Sequence, residues 1–504
     1  MKLTSMLTRV LMALALLGAA LSASVALAIP GQPGTLDATW GTSSSIGAGK
    51  VATSLTSSRD AARGVAIQLD GKLVLAGDCS NGTTTDICAL RYDVDGTLDA
   101  TFGSGGKVVT SVGSSNDRAN ALLVQSDGKI VVAGSCFGSK YNFCAIRYNA
   151  DGSLDGGFGS GGKVVAAFGI VADAAFAIVV QTDGKLVLAG SCGIGANNNF
   201  CALRFNANGS LDTSFGNAGK VITPASSVTD SAGALVLQPD GRLVLAGSCS
   251  GSSSENICAR RYNTDGSLDT TFGTGGTVIV AVSSSNERAY AVALQPDGKL
   301  VLAGFCYSGA NPAFCAVRLS AIGALDASFG GSGKVITLVG TTTSNANAIS
   351  LQPDGKIVLV GSCGSSSSQV FCSLRYNTDG SLDSSFGTNG KVMTAVVSGS
   401  NLATAVVLQA NGKLVLAGIC DTTKSDFCAL RYDGGPFGYQ SCKPDIDGDG
   451  SFLATTDVLI YARIALGITG PAVINGISFP ANATRNTWPL IRTYLITQCG
   501  MSLP

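Results

Sequence analysis

The chain has 504 residues, with 33 lysines and arginines against 33 aspartates and glutamates, and only 13% of its residues are charged. That balance supplies no field able to hold a polyanion, so nucleic acid and anionic membrane surfaces are not expected partners. Histidine is absent, which removes the commonest general base and metal ligand near neutral pH. Catalysis, if any, would fall to carboxylates, lysine, tyrosine or hydroxyls.

Residues 1–28 carry Lys2 and Arg9, then an apolar run, then Ala26-Leu27-Ala28. This is the order of a secretory signal cut after Ala28, and the run is too short to span a bilayer; the rival reading is an uncleaved anchor. No later run is long and apolar enough for a membrane span. No cysteine follows the cleavage site, which argues against a lipid anchor. The expected location is secreted, extracellular or cell-surface, with the periplasm as a variant. Sixteen cysteines in an exported chain, an even number, point to disulfides.

Residues 29–435 repeat. The Asp/Asn-Gly turns fall at Gly71, Gly128, Gly184, Gly241, Gly298, Gly355 and Gly412, at steps of 57, 56, 57, 57, 57 and 57 residues. Each period holds four short apolar segments, such as "ANALLVQ", "KIVVAGSC", "FCAIRYN" and "GKVVAAF", with a tight "SDG" turn between the first two. A unit too short to bury a core alone must stack on its neighbours. The expected fold is mainly β: a seven-bladed propeller of four-stranded antiparallel blades, with a β-helix or open solenoid as the rival. Cores such as "KLVLAG" are apolar on both parities, as strands covered on both faces require. The chain ends support a closed ring, because "PGTLDATWG…GKVATSL" matches the end of a repeat while the last repeat stops at "FCALRYD". The strand around Lys50 to Leu55 is therefore expected to complete the seventh blade.

The phrase "A-LQPDGKLVLAG…FCALRYN-DGSLDTSFG-GGKV" resembles the delta-60 repeat family of bacterial secreted propeller proteins, over roughly residues 34–433. The resemblance implies the propeller and little about function, since that family is defined by its repeat.

One cysteine closes the second strand of each unit and another opens the third. The expected pairs are Cys79 with Cys88, Cys136 with Cys144, Cys192 with Cys201, Cys249 with Cys258, Cys306 with Cys315, Cys363 with Cys372, and Cys420 with Cys428. Cross-strand neighbours at a hairpin come within bonding distance. The alternative of redox or metal-binding cysteines lacks any CxxC spacing. Between the paired cysteines lie loops that differ in every unit, on the same face as the connections between repeats. Such variation suits either a binding surface on a rigid frame or drift in surface loops. Aromatic residues make up only 6% of the chain, yet Tyr141, Tyr307 and Phe137 stand in these loops, where a sugar platform would use them.

On that side Asp60, Asp117, Asp173, Asp230 and Glu287, with Ser344 and Asn401 in equivalent places, enter the innermost strand. An acidic ring at a channel mouth would hold a cation. Recurrence in unit after unit suits acceptors for the backbone of each turn or of the adjacent blade better than it suits a single site. The repeated Arg91, Arg147, Arg204, Arg261, Arg318, Arg375 and Arg431 are expected to pair with the recurring Asp of "SLD", and the Phe or Trp40 of "LD--FG" to pack between blades.

From residue 436 to 504 the pattern changes. Asp445, Asp447 and Asp449 alternate before Gly450, an oxygen-rich calcium loop in which Ser451 supplies a backbone carbonyl. The twelfth place is Thr456, and Asp457 is the thirteenth, so closure by Asp457 requires one extra residue. A metal-free Asp/Gly turn is the alternative. Residues 442–504 are similar to dockerin-type modules through "DxDGDG…TTD-LI--R--LG". That resemblance implies calcium as cofactor and a cohesin-like partner, although the second half lacks the acidic series. Cys442 and Cys499 are expected to tie this module end to end.

The sequence thus favours a secreted noncatalytic propeller presenting variable loops to an extracellular protein or glycan, with a calcium-binding dockerin-like tail for docking or stabilisation. The alternative is an extracellular polysaccharide-degrading enzyme, a glycoside hydrolase or polysaccharide lyase, or a component of such an assembly.

Overall fold

A computed structural model of the chain describes residues 32–194, 197–223, 230–250, 254–340, 342–365, 368–421 and 424–435, and beyond them 446–447, 456, 459–460, 463 and 470–497. In its first repeat Asp60–Ile67, Leu73–Ser80, Thr85–Tyr92 and Lys107–Thr110 form one antiparallel sheet in chain order. Five further sheets repeat that order, starting at Asp117, Asp173, Ser231, Arg288 and Thr343. The last blade takes Asn401–Leu408, Lys413–Asp421 and Ser425–Asp433 from the C-terminal side and Lys50–Thr53 from the N-terminal side. Lys50 pairs with Leu430 and Thr53 with Phe427, antiparallel. The ring is a seven-bladed propeller, and the closing strand covers an edge that would otherwise be bare.

The first strands of successive blades touch one another all round the ring, from Asp60–Ile67 to Asn401–Leu408 and back. They are therefore the inner strands. The two parities of each second strand serve two neighbours: Leu73 and Leu75 pack with Trp40, Val415 and Ala417, whereas Val74 and Ala76 pack with Phe102 of their own blade and with Ile130 and Val132 of the next. This is why "LVLAG" carries no polar residue on either face. The core is not one mass but a set of clusters between blades.

In every blade the inner strand carries a bulge one residue long, between Ala62 and Gly64, Ala119 and Ala121, and at the matching places of the other blades. The glycine of "LAG" lies opposite it. A Cβ on Gly304 would stand 1.8 Å from the Arg288 carbonyl oxygen, and one on Gly77 1.9 Å from that of Ala61. The close approach of two backbones fixes that residue as glycine.

All seven expected blade cystines are present, from Cys79–Cys88 to Cys420–Cys428, with Cα atoms 5.5–5.9 Å apart. Cys442 and Cys499 lie outside the described residues. So do Asp445, Asp449, Ser451 and Asp457. Near them, one 10-residue helix, Trp488–Thr497, packs Trp488, Ile491 and Leu495 with Ile446, Ile460 and Val473. Among the described residues no helix is long and apolar enough to cross a membrane.

Candidate functional site: the cystine-loop face and the central channel

The repeated polar residues are committed to the frame. Each "ALRY" arginine donates through Nε to the expected aspartate: Arg91 to Asp99, Arg147 to Asp155, Arg204 to Asp212 and Arg261 to Asp269, all at 2.7 Å. Arg318 and Arg375 do the same to Asp326 at 2.8 Å and Asp383 at 2.7 Å. In the seventh blade Arg431 reaches across the chain ends to Asp37 at 2.8 Å. The same guanidinium donates to a carbonyl of the next blade, as Arg147 does to Ala207 and Arg204 to Thr264, both at 2.6 Å. It also lies over the buried aromatic ring, 4.5 Å from Phe158 and 5.4 Å from Trp40. One arginine thus joins a turn, an aromatic ring and the neighbouring blade.

The acids at the entrance to the inner strands are buried in their turns. Asp60 accepts the N–H of Leu55 at 2.7 Å and of Thr56 at 3.1 Å. Asp117 accepts those of Val112 at 2.7 Å, Gly113 at 2.9 Å and Phe137 at 3.1 Å. Asp230 takes Ser250 N–H at 3.1 Å and the Arg260 guanidinium at 2.9 Å, and Glu287 takes the N–H of Val282 at 2.8 Å and of Ser283. Ser344 and Asn401 accept the equivalent N–H groups of Val339 and Val397. Asp60, Asp117 and Glu287 hold their own turns and Asp230 ties its strand to the next two, and among the described residues no cluster of three or more metal-ligating side chains forms.

The inner bulges make the part of the molecule that sequence reasoning missed. The bulged residues are Arg63, Asn120, Phe176, Gly233, Tyr290, Asn347 and Thr404, and all seven line one cavity of about 270 Å³ together with Ser231 and Arg288. A cavity walled by every inner strand is the central channel. Several lining groups are tied to a neighbouring blade: Asn120 Nδ2 donates to Ala175 O and Asn347 Nδ2 to Ala403 O, both at 2.8 Å, and Thr404 Oγ1 donates to Ala62 O at 3.0 Å. Arg63 pairs with Asp78 at 3.2 Å and Arg288 with Glu255 at 2.8 Å. The signal was present in the sequence. In "RANAL", "AAFAI", "SAGAL", "RAYAV", "NANAI" and "LATAV" small residues recur on either side of a centre that is Asn, Phe, Gly, Tyr, Asn and Thr in turn.

Toward the cystine loops the channel joins a second pocket of about 330 Å³, sharing Asn120, Phe176 and Ser231. Blade two supplies Arg118, Ser135 and Tyr141, and blade three Asp173, Ser191 and Asn198. Tyr141 follows the variable loop and packs edge-on against Phe137, with ring centroids 5.2 Å apart. The Arg118 guanidinium lies 5.9 Å from the Tyr141 ring centre.

The fold and this site define a class: a seven-bladed β-propeller with an axial channel and one variable face. Six of its repeats match the family described as "Domain of unknown function (DUF5122) beta-propeller", at residues 68–102, 125–158, 181–215, 238–272, 295–329 and 352–386. The seventh unit is divided between the chain ends. No curated protein matches the chain in sequence. Solved structures similar to it include a catalytically inactive virginiamycin B lyase from Staphylococcus aureus with quinupristin, 10% identical, covering 76% of this chain and 98% of that one with a TM-score of 0.43. Sqt1 from Chaetomium thermophilum is 10% identical over 76% of this chain and 100% of that one, with a TM-score of 0.39. A PL25 ulvan lyase bound to -[GlcA(1-4)Rha3S]- is 11% identical over 73% and 91%, also with a TM-score of 0.39. Likenesses of this degree do not bear on function.

Proposed function

We propose that the protein is a secreted, noncatalytic propeller that binds an extracellular protein or glycan on its cystine-loop face. One observation carries this reading: the charged residues that repeat are tied into turns and blade contacts, while those that differ from blade to blade gather in the cystine loops and the channel. A frame held by seven cystines keeps such loops in place with little ordering left to do on binding. The signal at residues 1–28 and the cystines support export. Incubation with a panel of extracellular polysaccharides, followed by assay for new reducing ends and unsaturated products, is expected to give none beyond background. Sustained turnover would overturn the noncatalytic reading.

For the segment 436–504 the proposal is a calcium-binding, dockerin-like tail, with Asp445, Asp447, Asp449, Ser451 and Asp457 holding the ion. Among these Asp447 is described, and it is fully buried. Its carbonyl oxygen accepts the Arg485 N–H at 2.7 Å, and Arg485 Nε donates to Ile446 O at 2.7 Å. A fully buried aspartate held by its backbone suits an ion-binding loop better than a solvated turn. Bound calcium would supply charge neutralisation and fold stability there. Calorimetric titration of the full chain with calcium is expected to show one site that Asp447→Ala removes. An unchanged titration in that variant would place the ion elsewhere, and a stoichiometry of two would favour docking to a cohesin-like partner.

A further inference from the structure

We propose that the pocket between blades two and three binds the acidic end of a saccharide, a sugar acid whose carboxylate is taken by Arg118 and whose hydroxyl is taken by Asp173. This rests on the reading of the cystine-loop face as a binding surface, and gives that surface a ligand class and a place.

The inference starts from a break in the repeat. In blades two and four, Oδ1 of the inner acid accepts an N–H from the second strand: Phe137 to Asp117 and Ser250 to Asp230, both at 3.1 Å. In blade one Asp60 Oδ1 accepts Thr56 Oγ1 at 2.7 Å. In blade three the matching Gly193 N–H turns instead to Ala172 O at 3.3 Å. Asp173 Oδ2 still accepts Phe168 N–H at 2.9 Å and the Lys140 ammonium at 3.1 Å, but Oδ1 is buried without a hydrogen-bond partner among the described residues. Asp173 lines the pocket. A buried carboxylate oxygen lacking a donor is costly, and a ligand hydroxyl relieves that cost.

The second observation concerns charge. Of the three arginines beside the channel, Arg63 and Arg288 have carboxylate partners. Arg118 is exposed and has no ion pair among the described residues; its guanidinium lies over the Tyr141 ring. A guanidinium of this kind takes a planar carboxylate through two parallel N–H groups. Tyr141 and Phe176, the latter 39% exposed, offer apolar faces to sugar C–H groups. A bare inorganic anion would match Arg118 but bring no donor to Asp173 Oδ1, and a neutral sugar would leave Arg118 unmatched. The two groups together require one small molecule carrying both a carboxylate and hydroxyls. The volume of about 330 Å³ stands near the lower end of small-molecule sites, about 300 Å³, and suits a terminal residue more than a long chain.

The test is calorimetry on the full chain with trigalacturonate and with the neutral galactose trimer. The acid is expected to bind about tenfold or more tightly than the neutral sugar, as loss of a charge-assisted hydrogen bond implies. Arg118→Gln should erase the difference without moving the thermal midpoint, since Arg118 is exposed, and added salt should weaken the acid alone. Asp173→Asn should weaken both sugars. Equal binding of the two sugars, no binding of either, or an acid preference that survives Arg118→Gln overturns the proposal. If glycan binding instead fails in Tyr307→Ser and not in Arg118→Gln, the binding face stands and this pocket falls. Turnover of either sugar would sink the underlying reading itself.

Discussion

At the scale of single residues, the arginine of each blade decides how the polar groups of this ring behave. It is buried together with its aspartate, an arrangement that would be unfavourable unless further hydrogen bonds satisfied both partners. They do. Burial alone would raise the Asp383 carboxyl, but the Ser385 hydroxyl and N–H and the Arg375 charge outweigh it and hold the group at about 2. Burial likewise opposes, and hydrogen bonds outweigh, at Asp99, which takes Lys72, Thr101 and Arg91, and at Asp212, which takes Ser214 and Arg204; both are held below the usual carboxylate range. A group whose folded value is depressed stabilises the fold above its unfolded value, near 4, and loses that contribution as pH falls through the folded value. The thermal midpoint is therefore expected to be flat from pH 7 to 5 and to fall between about pH 4 and 2. Asp383→Asn should blunt that fall in a pH series of melting curves, and a midpoint that declines equally in the variant would remove Asp383 from the account. The pairing of "ALRY" with "SLD" was legible because both recur at one spacing. The unsatisfied oxygen of Asp173 was not legible, since its letter is the same as that of Asp60 and Asp117.

At the scale of the element, the hairpin formed by the second and third strands explains the recurring "LAG-C". Glycine is needed where the inner bulge brings two backbones together, and cysteine where the strands leave the packed zone for a polar loop. Gly304→Ala would have to displace the Arg288 carbonyl and is expected to destabilise by roughly 1–3 kcal/mol in urea titration, as overpacked core positions do. No loss of stability would mean the inner strand yields easily there. Replacing Cys249 and Cys258 together by alanine opens a loop with a sequence separation of 9 and is expected to cost about 2–3 kcal/mol by the chain-entropy relation. A double variant as stable as the parent would show that the strands alone hold that loop. The strands themselves could be read from apolar runs and Asp-Gly turns. The bulge could not, because a single extra residue shifts the register of a strand without altering its composition.

At the scale of the whole molecule, closure depends on two segments nearly 400 residues apart. Lys50–Thr53 pairs with Ser425–Asp433, Asp37 receives Arg431, and Trp40 fills the aromatic place of the missing seventh unit. A chain beginning at Ser54 would leave the third strand of the last blade with a bare edge. Such a chain is expected to melt at lower temperature and to associate, as light scattering would record; a monomer with an unchanged midpoint would show that closure adds nothing. The sequence by itself determined the seven repeats, the cystine pairing and the arginine–aspartate ties inside single blades, because each depends on short-range spacing repeated in register, and the matching part-repeats at its two ends pointed to the split blade. Only the tertiary structure decided where the inner strands meet, which bulged residues face the channel, and that Arg118 and Asp173 share one pocket. These relations depend on contacts between blades and on which way a bulged strand turns its side chains, and neither is written in the recurrence of the letters.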